Sequence, residues 1–181
     1  MKKIDIGCGN SKKNDFIGID ILKLEGVDIV HDLNVFPYPF RDNEIDEVWM
    51  DQCLEHLDNP IRVVEEINRI CKNGAKVTIG VPFFRSFYAY IDPTHKNFFT
   101  PYWFDYFDPN KDFHKKYQYS NYKYKVENII FDREWIESNN KLSLKQQILI
   151  KYANNNIEKY TQRWSHLFPL NSLTFYLTVI K

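Results

Sequence analysis

Short apolar runs separated by polar turns dominate the first half of the chain. Lys3–Ile6 reads as a strand stopped by Gly7 and Gly9, Phe16–Asp20 as a second, and Val27–His31 as a third ending at Asp32. The proline-bearing stretch FPYPFRDNE breaks regularity as a surface loop, and Ile45–Met50 resumes as a fourth strand. Asn59-Pro60 can cap and open a helix that runs to about Cys71. Ile61, Val64, Ile67, Ile70 and Cys71 recur there at helical spacing, with Asn68 out of pattern, and Asn73-Gly74 is expected to end it. Ala75–Val81, closed by Pro82, is the fifth strand. Strands linked by a helix favour a parallel sheet.

The second half is patterned differently. Thr100-Pro101 has the form of a helix start, and Tyr102–Phe107 would be a short aromatic helix. Lys123–Asp132 reads as a strand rich in Val126, Ile129, Ile130 and Phe131, Leu142–Trp164 as mostly helical in one or two pieces, and Leu173–Ile180 as a strongly alternating strand. Tyr117–Tyr124 is polar and tyrosine-rich, without helical period, and is the expected mobile loop. The pattern predicts an α/β, Rossmann-like, mostly parallel seven-stranded sheet with an antiparallel C-terminal strand and helices on both faces. No repeat or low-complexity linker divides it, so residues 1–181 are expected to form a single domain. Residues 1–84 would be its cofactor-binding half and 85–181 its acceptor side.

Composition narrows the classes. With 24 basic and 24 acidic residues the formal charge is zero, which speaks against a broad nucleic-acid surface. No apolar run approaches the roughly 20 residues of a membrane span. Cys8, Cys53 and Cys71 are widely spaced and form no CxxC pair, so neither a zinc knuckle nor a disulfide framework is expected. The N-terminus has no signal-peptide pattern, and a reduced, cytoplasmic protein is the expectation. Tyr and Phe are abundant, as coding bias or an aromatic recognition surface would make them.

Glycines directly after a strand permit a sharp turn and close approach of a ligand to the backbone. The amides from Cys8 to Ser11 could then receive a carboxylate or phosphate. Asp20 ends the second strand, where an acid can accept two ribose hydroxyls, and Asp32 ends the third. Acids in such turns are also ordinary turn formers, but three strand ends in register point at one nucleoside pocket. The dinucleotide fingerprint G-x-G-x-x-G is incomplete, because its third glycine is replaced by Lys12.

The segments IDIGCGN, GID at Gly18–Asp20, HDL at His31–Leu33, the stretch Asp46–Phe84 with its LEH turn, and DPTHKNFFTP at Asp92–Pro101 together resemble the class I S-adenosylmethionine-dependent methyltransferases, small-molecule branch. LTFYLTVIK is similar to that family's last antiparallel strand. The resemblance implies S-adenosylmethionine as cofactor. Asp5, Gly7, Cys8 and Gly9 would frame its methionine end. Asp20 would bind the ribose, Ile21 would pack on the adenine, and Asp32 and Leu33 would approach the adenine edge. Asp51 and Gln52 would line the pocket near the methyl group, with His56 just beyond. The sequence departs from the family at Ser11, where a third glycine is common, and at Asn10–Asp15, where six residues replace a full crossover helix. It also reads from the first strand at once, without the helix that often lids the pocket. Leu142–Trp164, an ordered Tyr117–Tyr124 loop or a partner subunit, as in a homo-oligomer, is expected to cover that flank.

Methyl transfer from a sulfonium needs positioning, exclusion of water and sometimes a base. His56 and His95 are the candidate catalytic residues, each with a structural alternative; His31 is expected to end its strand. Two histidines with Asp92 would suffice in type for a metal, but the spacing does not ask for one, and none is expected. Lys12 and Lys13 are read as a solvated pair or as contacts for an anionic group. Phe84, Tyr88, Thr94 and Tyr102 are the candidate substrate-binding residues, part of an aromatic wall suited to a metabolite, sugar or lipid-like acceptor. Methyl transfer to oxygen or nitrogen of such an acceptor is the leading function. A catalytically inactive binding or scaffold protein and an NAD-type oxidoreductase are the alternatives.

Overall fold

The computed structural model describes residues 1–137 and 142–181. Strands β1 (Lys3–Ile6), β2 (Ile17–Asp20), β3 (Ile29–Val30), β4 (Ile45–Asp51), β5 (Cys71–Pro82), β6 (Lys123–Phe131) and β7 (Ser172–Ile180) form one sheet in the order β3-β2-β1-β4-β5-β7-β6. β1 to β5 pair in parallel, whereas β7 runs antiparallel to both β5 and β6. The strand order reverses beside β1, between its neighbours β2 and β4, so the ends of these strands flank the crevice where open α/β sheets place ligands. Helix α1 is Pro60–Ile70, and Asn59 caps it by accepting from the Arg62 amide at 3.0 Å. Short helices α2 (Tyr88–Ile91) and α3 (Asp112–Tyr117) precede β6; α4 (Arg133–Glu137), α5 (Leu144–Asn155) and α6 (Ile157–Lys159) lie between β6 and β7.

Four local expectations change. Asn73-Gly74 does not end α1, because the chain turns extended at Cys71 and enters β5 directly. Gly74, at φ 80°, instead sits in an irregularity of β5, where the pairing jumps from Ile45 with Cys71 to Glu47 with Lys76. The third strand shrinks to two residues, and the aromatic helix is one 3-10 turn at Trp103–Tyr106. Tyr117–Tyr124 is only partly loop. Tyr117 belongs to α3, and Tyr119 stacks on Tyr106 with ring centroids 5.4 Å apart. Leu142–Trp164 is helical in pieces, broken at Asn156 and opened by a capping box at Ser143 and Gln146.

Side chains alternate across the sheet, and the register assigns each strand's faces. Ile4, Ile6, Val48, Met50, Val77, Ile79, Val81, Phe175 and Leu177 share one buried face, the one suited to the buried Val63, Val64, Ile67 and Ile70 of α1. The opposite face carries Lys3, Asp5, Glu47, Trp49, Asp51, Thr78, Tyr176 and Thr178. Here the six-residue connection does part of a helix's work. The Lys13 amide donates to Asp5 Oδ2 at 2.8 Å, and the Lys13 ammonium lies 3.4 Å from the centre of the Trp49 ring. Arg133, at the start of α4, covers the same indole from 4.5 Å. A groove remains beside them, lined by Glu47, Thr78, Tyr176 and Thr178.

Candidate active site

The C-terminal ends of β1, β2 and β4, with the turn after β3, surround a cavity of about 310 Å³ lined by Gly7, Asp20, Ile21, Asp32, Leu33, Asn34, Gln52, Cys53, His56 and Leu57. Gly7 has φ 69°, and a Cβ there would lie 2.3 Å from Cys53 Sγ, so both backbone sterics and packing demand glycine. Its amide donates to the Ile19 carbonyl at 2.8 Å, joining the turn to β2. Gln52, also left-handed at φ 50°, is held by its amide on the Gly80 carbonyl at 2.9 Å.

Asp20 folds back over the glycine turn. Its Oδ2 accepts from the Gly9 amide at 2.9 Å and its Oδ1 from the Leu22 amide at 3.0 Å. The Cys8 amide reaches the Ile19 carbonyl and the Ser11 amide the Cys8 carbonyl. The expectation of free amides from Cys8 to Ser11 is therefore corrected: three of these four are bonded within the protein. Each Asp20 oxygen keeps further lone-pair capacity toward the cavity. Asp32 accepts from the Asn34 amide at 2.9 Å.

Of the expected cofactor residues, Gly7, Asp20, Ile21, Asp32, Leu33 and Gln52 come together on this cavity. Asp5, Cys8, Gly9 and Asp51 lie outside its lining. Asp5 is buried beneath the turn, where burial raises its carboxyl above the usual range against the lowering pull of the Lys13 amide. Burial likewise pushes the Cys8 thiol up to about 11. Asp51 turns toward Arg133, whose Nη2 donates to Oδ2 at 2.7 Å, and Gly80 makes room for its carboxylate. Lys12 pairs with Asp28 at 2.8 Å rather than facing the cavity. Asn34, Cys53 and Leu57 were not singled out as site residues in the sequence, where no signal of their own marks them.

The cavity suits a nucleoside. Carboxylates at two strand ends offer acceptors for hydroxyl and amine protons, Ile21 presents an apolar side chain that is 57% exposed, and Gly7 leaves backbone in place of a side chain.

A second group adjoins it. The 3-10 turn Leu54–His56 is stitched to the segment after α2, because the Glu55 carbonyl accepts from the Lys96 and Asn97 amides at 2.8 and 3.1 Å. Asn97 Nδ2 adds a bond to the Leu57 carbonyl at 2.6 Å. This brings His56 and His95 edge to face, 4.6 Å between ring centres. His56 Nδ1 bonds Thr94 Oγ1 at 2.8 Å, and that hydroxyl donates to Asp92 Oδ1 at 2.7 Å. Burial, followed by the neighbouring His95, lowers the His56 pKa. Glu55 is 1% exposed, and burial pushes its carboxyl up to about 8.

Phe84, Tyr88, Thr94 and Tyr102 do not line the nucleoside cavity. Thr94 sits in the histidine group; Phe84 packs edge-on to the core residue Phe83, Tyr88 is half exposed, and the Tyr102 hydroxyl is buried without a partner among the described residues.

Residues 4–79 match the family model described as a methyltransferase domain. An uncharacterised protein of Methanocaldococcus jannaschii is 31% identical over 78 residues, 43% of this chain, and the match spans about a third (34%) of that relative's length. Among solved structures, an S-adenosylmethionine-dependent methyltransferase from Archaeoglobus fulgidus is 24% identical, with 98% of this chain and 85% of that chain covered at a TM-score of 0.55. Phosphoethanolamine N-methyltransferase 2 of Haemonchus contortus, in complex with phosphomonomethylethanolamine and S-adenosylhomocysteine, is 18% identical, with 99% and 49% covered at a TM-score of 0.54. The two structures share the fold with this chain, and the family model covers the segment that builds its cavity. Residues 4–79 thus resemble a methyltransferase domain, and the chain shares the fold of these solved methyltransferases.

Proposed function

We propose that the protein, acting as one domain, transfers the methyl group of S-adenosylmethionine to an oxygen or nitrogen of a small or medium acceptor. The observation that carries this reading is the cavity bounded by Gly7, Asp20, Ile21, Asp32, Leu33 and Gln52. Asp20 would accept the ribose hydroxyls, and Ile21 and Leu33 would pack on the adenine, with Asp32 at its amine. Gln52 would stand nearest the methyl group. The Haemonchus contortus complex, which holds S-adenosylhomocysteine, supports the cofactor assignment by analogy of fold.

The cofactor, once bound, supplies an activated methyl group on a sulfonium. The residues of this chain then have three tasks: to hold the acceptor in line, to exclude water and to take a proton where the acceptor carries one. Burial keeps His56 predominantly neutral at neutral pH, the state a base requires. Its Nδ1 is committed to Thr94, which leaves Nε2 to receive a proton. His95 would border the acceptor with Thr94, and Phe84, Tyr88 and Tyr102 would contribute apolar wall.

Calorimetric titration with S-adenosylhomocysteine, paralleled by NAD⁺, tests the cofactor assignment. Binding of the first alone is expected; binding of NAD⁺ alone overturns it. Turnover of labelled S-adenosylmethionine against alcohol, phenol, amine and phospho-amine acceptors tests the activity. Cofactor binding with no turnover across that panel would favour a scaffold role.

A further inference from the structure

Glu55 presents a problem that the methyl-transfer reading leaves unsolved. Its side chain is 1% exposed, and neither carboxyl oxygen has a hydrogen-bond partner among the described residues. Its nearest ionic neighbour is His95, with Nε2 at 4.0 Å from Oε1. A buried carboxyl without partners is costly in either protonation state, since even the neutral form leaves a donor and an acceptor unpaired.

The two histidines beside it are oriented in a particular way. His95 Nδ1 lies 3.1 Å from the Ala89 carbonyl, which can only accept, so Nδ1 carries the proton and Nε2 is left as a lone pair. The Thr94 hydroxyl proton is directed at Asp92, so Thr94 Oγ1 accepts from His56 Nδ1, and His56 Nε2 is again the lone pair. One ligand atom from each of Glu55, His56 and His95 falls within 4.8 Å of the others. Imidazoles whose second nitrogen is tied to a carbonyl, or through a hydroxyl to a carboxylate, are the arrangement that fixes histidines as metal ligands. The linear spacing gave no hint of this, because the bonds from Lys96 and Asn97 to Glu55 are what bring the three together.

We propose that Glu55, His56 and His95 bind a divalent transition-metal ion at the edge of the nucleoside cavity. Two imidazoles and one carboxylate suit Zn²⁺ or Mn²⁺ better than ions that favour all-oxygen cages. The ion satisfies the Glu55 carboxylate, and three protein ligands leave coordination positions for water or an acceptor oxygen. His56 also lines the cavity, which places the ion beside the cofactor site, and an ion there takes up the Nε2 lone pair that metal-free His56 would offer as a base. The inference concerns ion binding and does not depend on the acceptor.

The full chain, freed of any purification tag, is dialysed against chelator and titrated calorimetrically with Zn²⁺. Visible absorption on Co²⁺ addition is the spectroscopic readout. About one equivalent is expected to bind, and Glu55→Gln and His95→Ala are each expected to weaken it by about ten-fold or more and to abolish the Co²⁺ bands. His166→Ala, at a surface histidine, is expected to change nothing. Absence of stoichiometric binding in the unsubstituted protein, or undiminished binding in either variant, overturns the site. Circular dichroism confirms folding, and His95→Gln replaces His95→Ala should the latter not fold. S-adenosylhomocysteine binding, measured on metal-free protein, reports separately on the cofactor assignment.

Discussion

Arg133 donates from Nη2 to Asp51 Oδ2 at 2.7 Å, across 82 residues of sequence. The guanidinium is 7% exposed, lies over Trp49, and bonds Thr174 Oγ1 at 3.2 Å, so it fastens α4 to the polar face of the sheet. Arg133→Ala strands the Asp51 carboxylate, whose Oδ1 already has no partner among the described residues. A loss of about 1.5–3 kcal/mol in chemical denaturation is expected. Loss of under about 0.5 kcal/mol would show that solvent replaces the arginine.

Gly80 is needed for that pair. A Cβ there would lie 1.9 Å from Asp51 Oδ1, so Gly80→Ala must displace the carboxylate. A cost of about 1–3 kcal/mol is expected. Combined with Asp51→Ala the second change should add little, because the two share one cause. Full additivity in the denaturation series would refute the coupling.

Asp20 joins turn and cavity. Asp20→Ala removes the acceptor for the Gly9 and Leu22 amides together with the carboxylate on the cavity wall. S-adenosylhomocysteine affinity is expected to fall by about ten-fold or more, equivalent to about 1.5–3 kcal/mol. Unchanged affinity by calorimetry would remove Asp20 from the site.

Acid should loosen the surface ion pairs first. Hydrogen bonds from Lys12, Lys2 and Lys72 respectively are the leading cause that lowers the carboxyls of Asp28, Glu44 and Asp46 in the folded state. A depressed folded pKa means stability that is present above the unfolded value, near 4, and lost as pH falls through the folded one. The thermal midpoint is therefore expected to decline as pH drops below about 4, and Lys72→Met should reduce that dependence. Asp28 is exposed and Glu44 and Asp46 are partly so, and salt should flatten the effect. A midpoint insensitive to pH in this range would contradict it.

The parallel half of the fold and the antiparallel C-terminal strand were legible because periodicity and turn chemistry agree there: Lys3–Ile6, Asn59-Pro60 and Leu173–Ile180 all signal locally. The end of α1 was misread because Asn73-Gly74 is an ordinary stop signal, and pairing of Cys71 with Ile45 overrode it. Asp20 and Asp32 were singled out from strand ends, and Ile21 from the family resemblance. Glu55 could not, since its interest lies in what surrounds it, and burial without partners has no linear signature. Arg133 was equally silent, because its partner stands 82 positions away.

The short connection after β1 has a consequence for how the chain finds its structure. It lets Ile4 pair with Ile17, whereas Ile4 must wait for Val48 on its other side and Val48 for Val77. Closing the smaller loop costs less entropy, and local pairings form faster than distant ones. The two strands whose ends carry Gly7 and Asp20 are therefore placed to meet early, before the distant β4 arrives to flank β1.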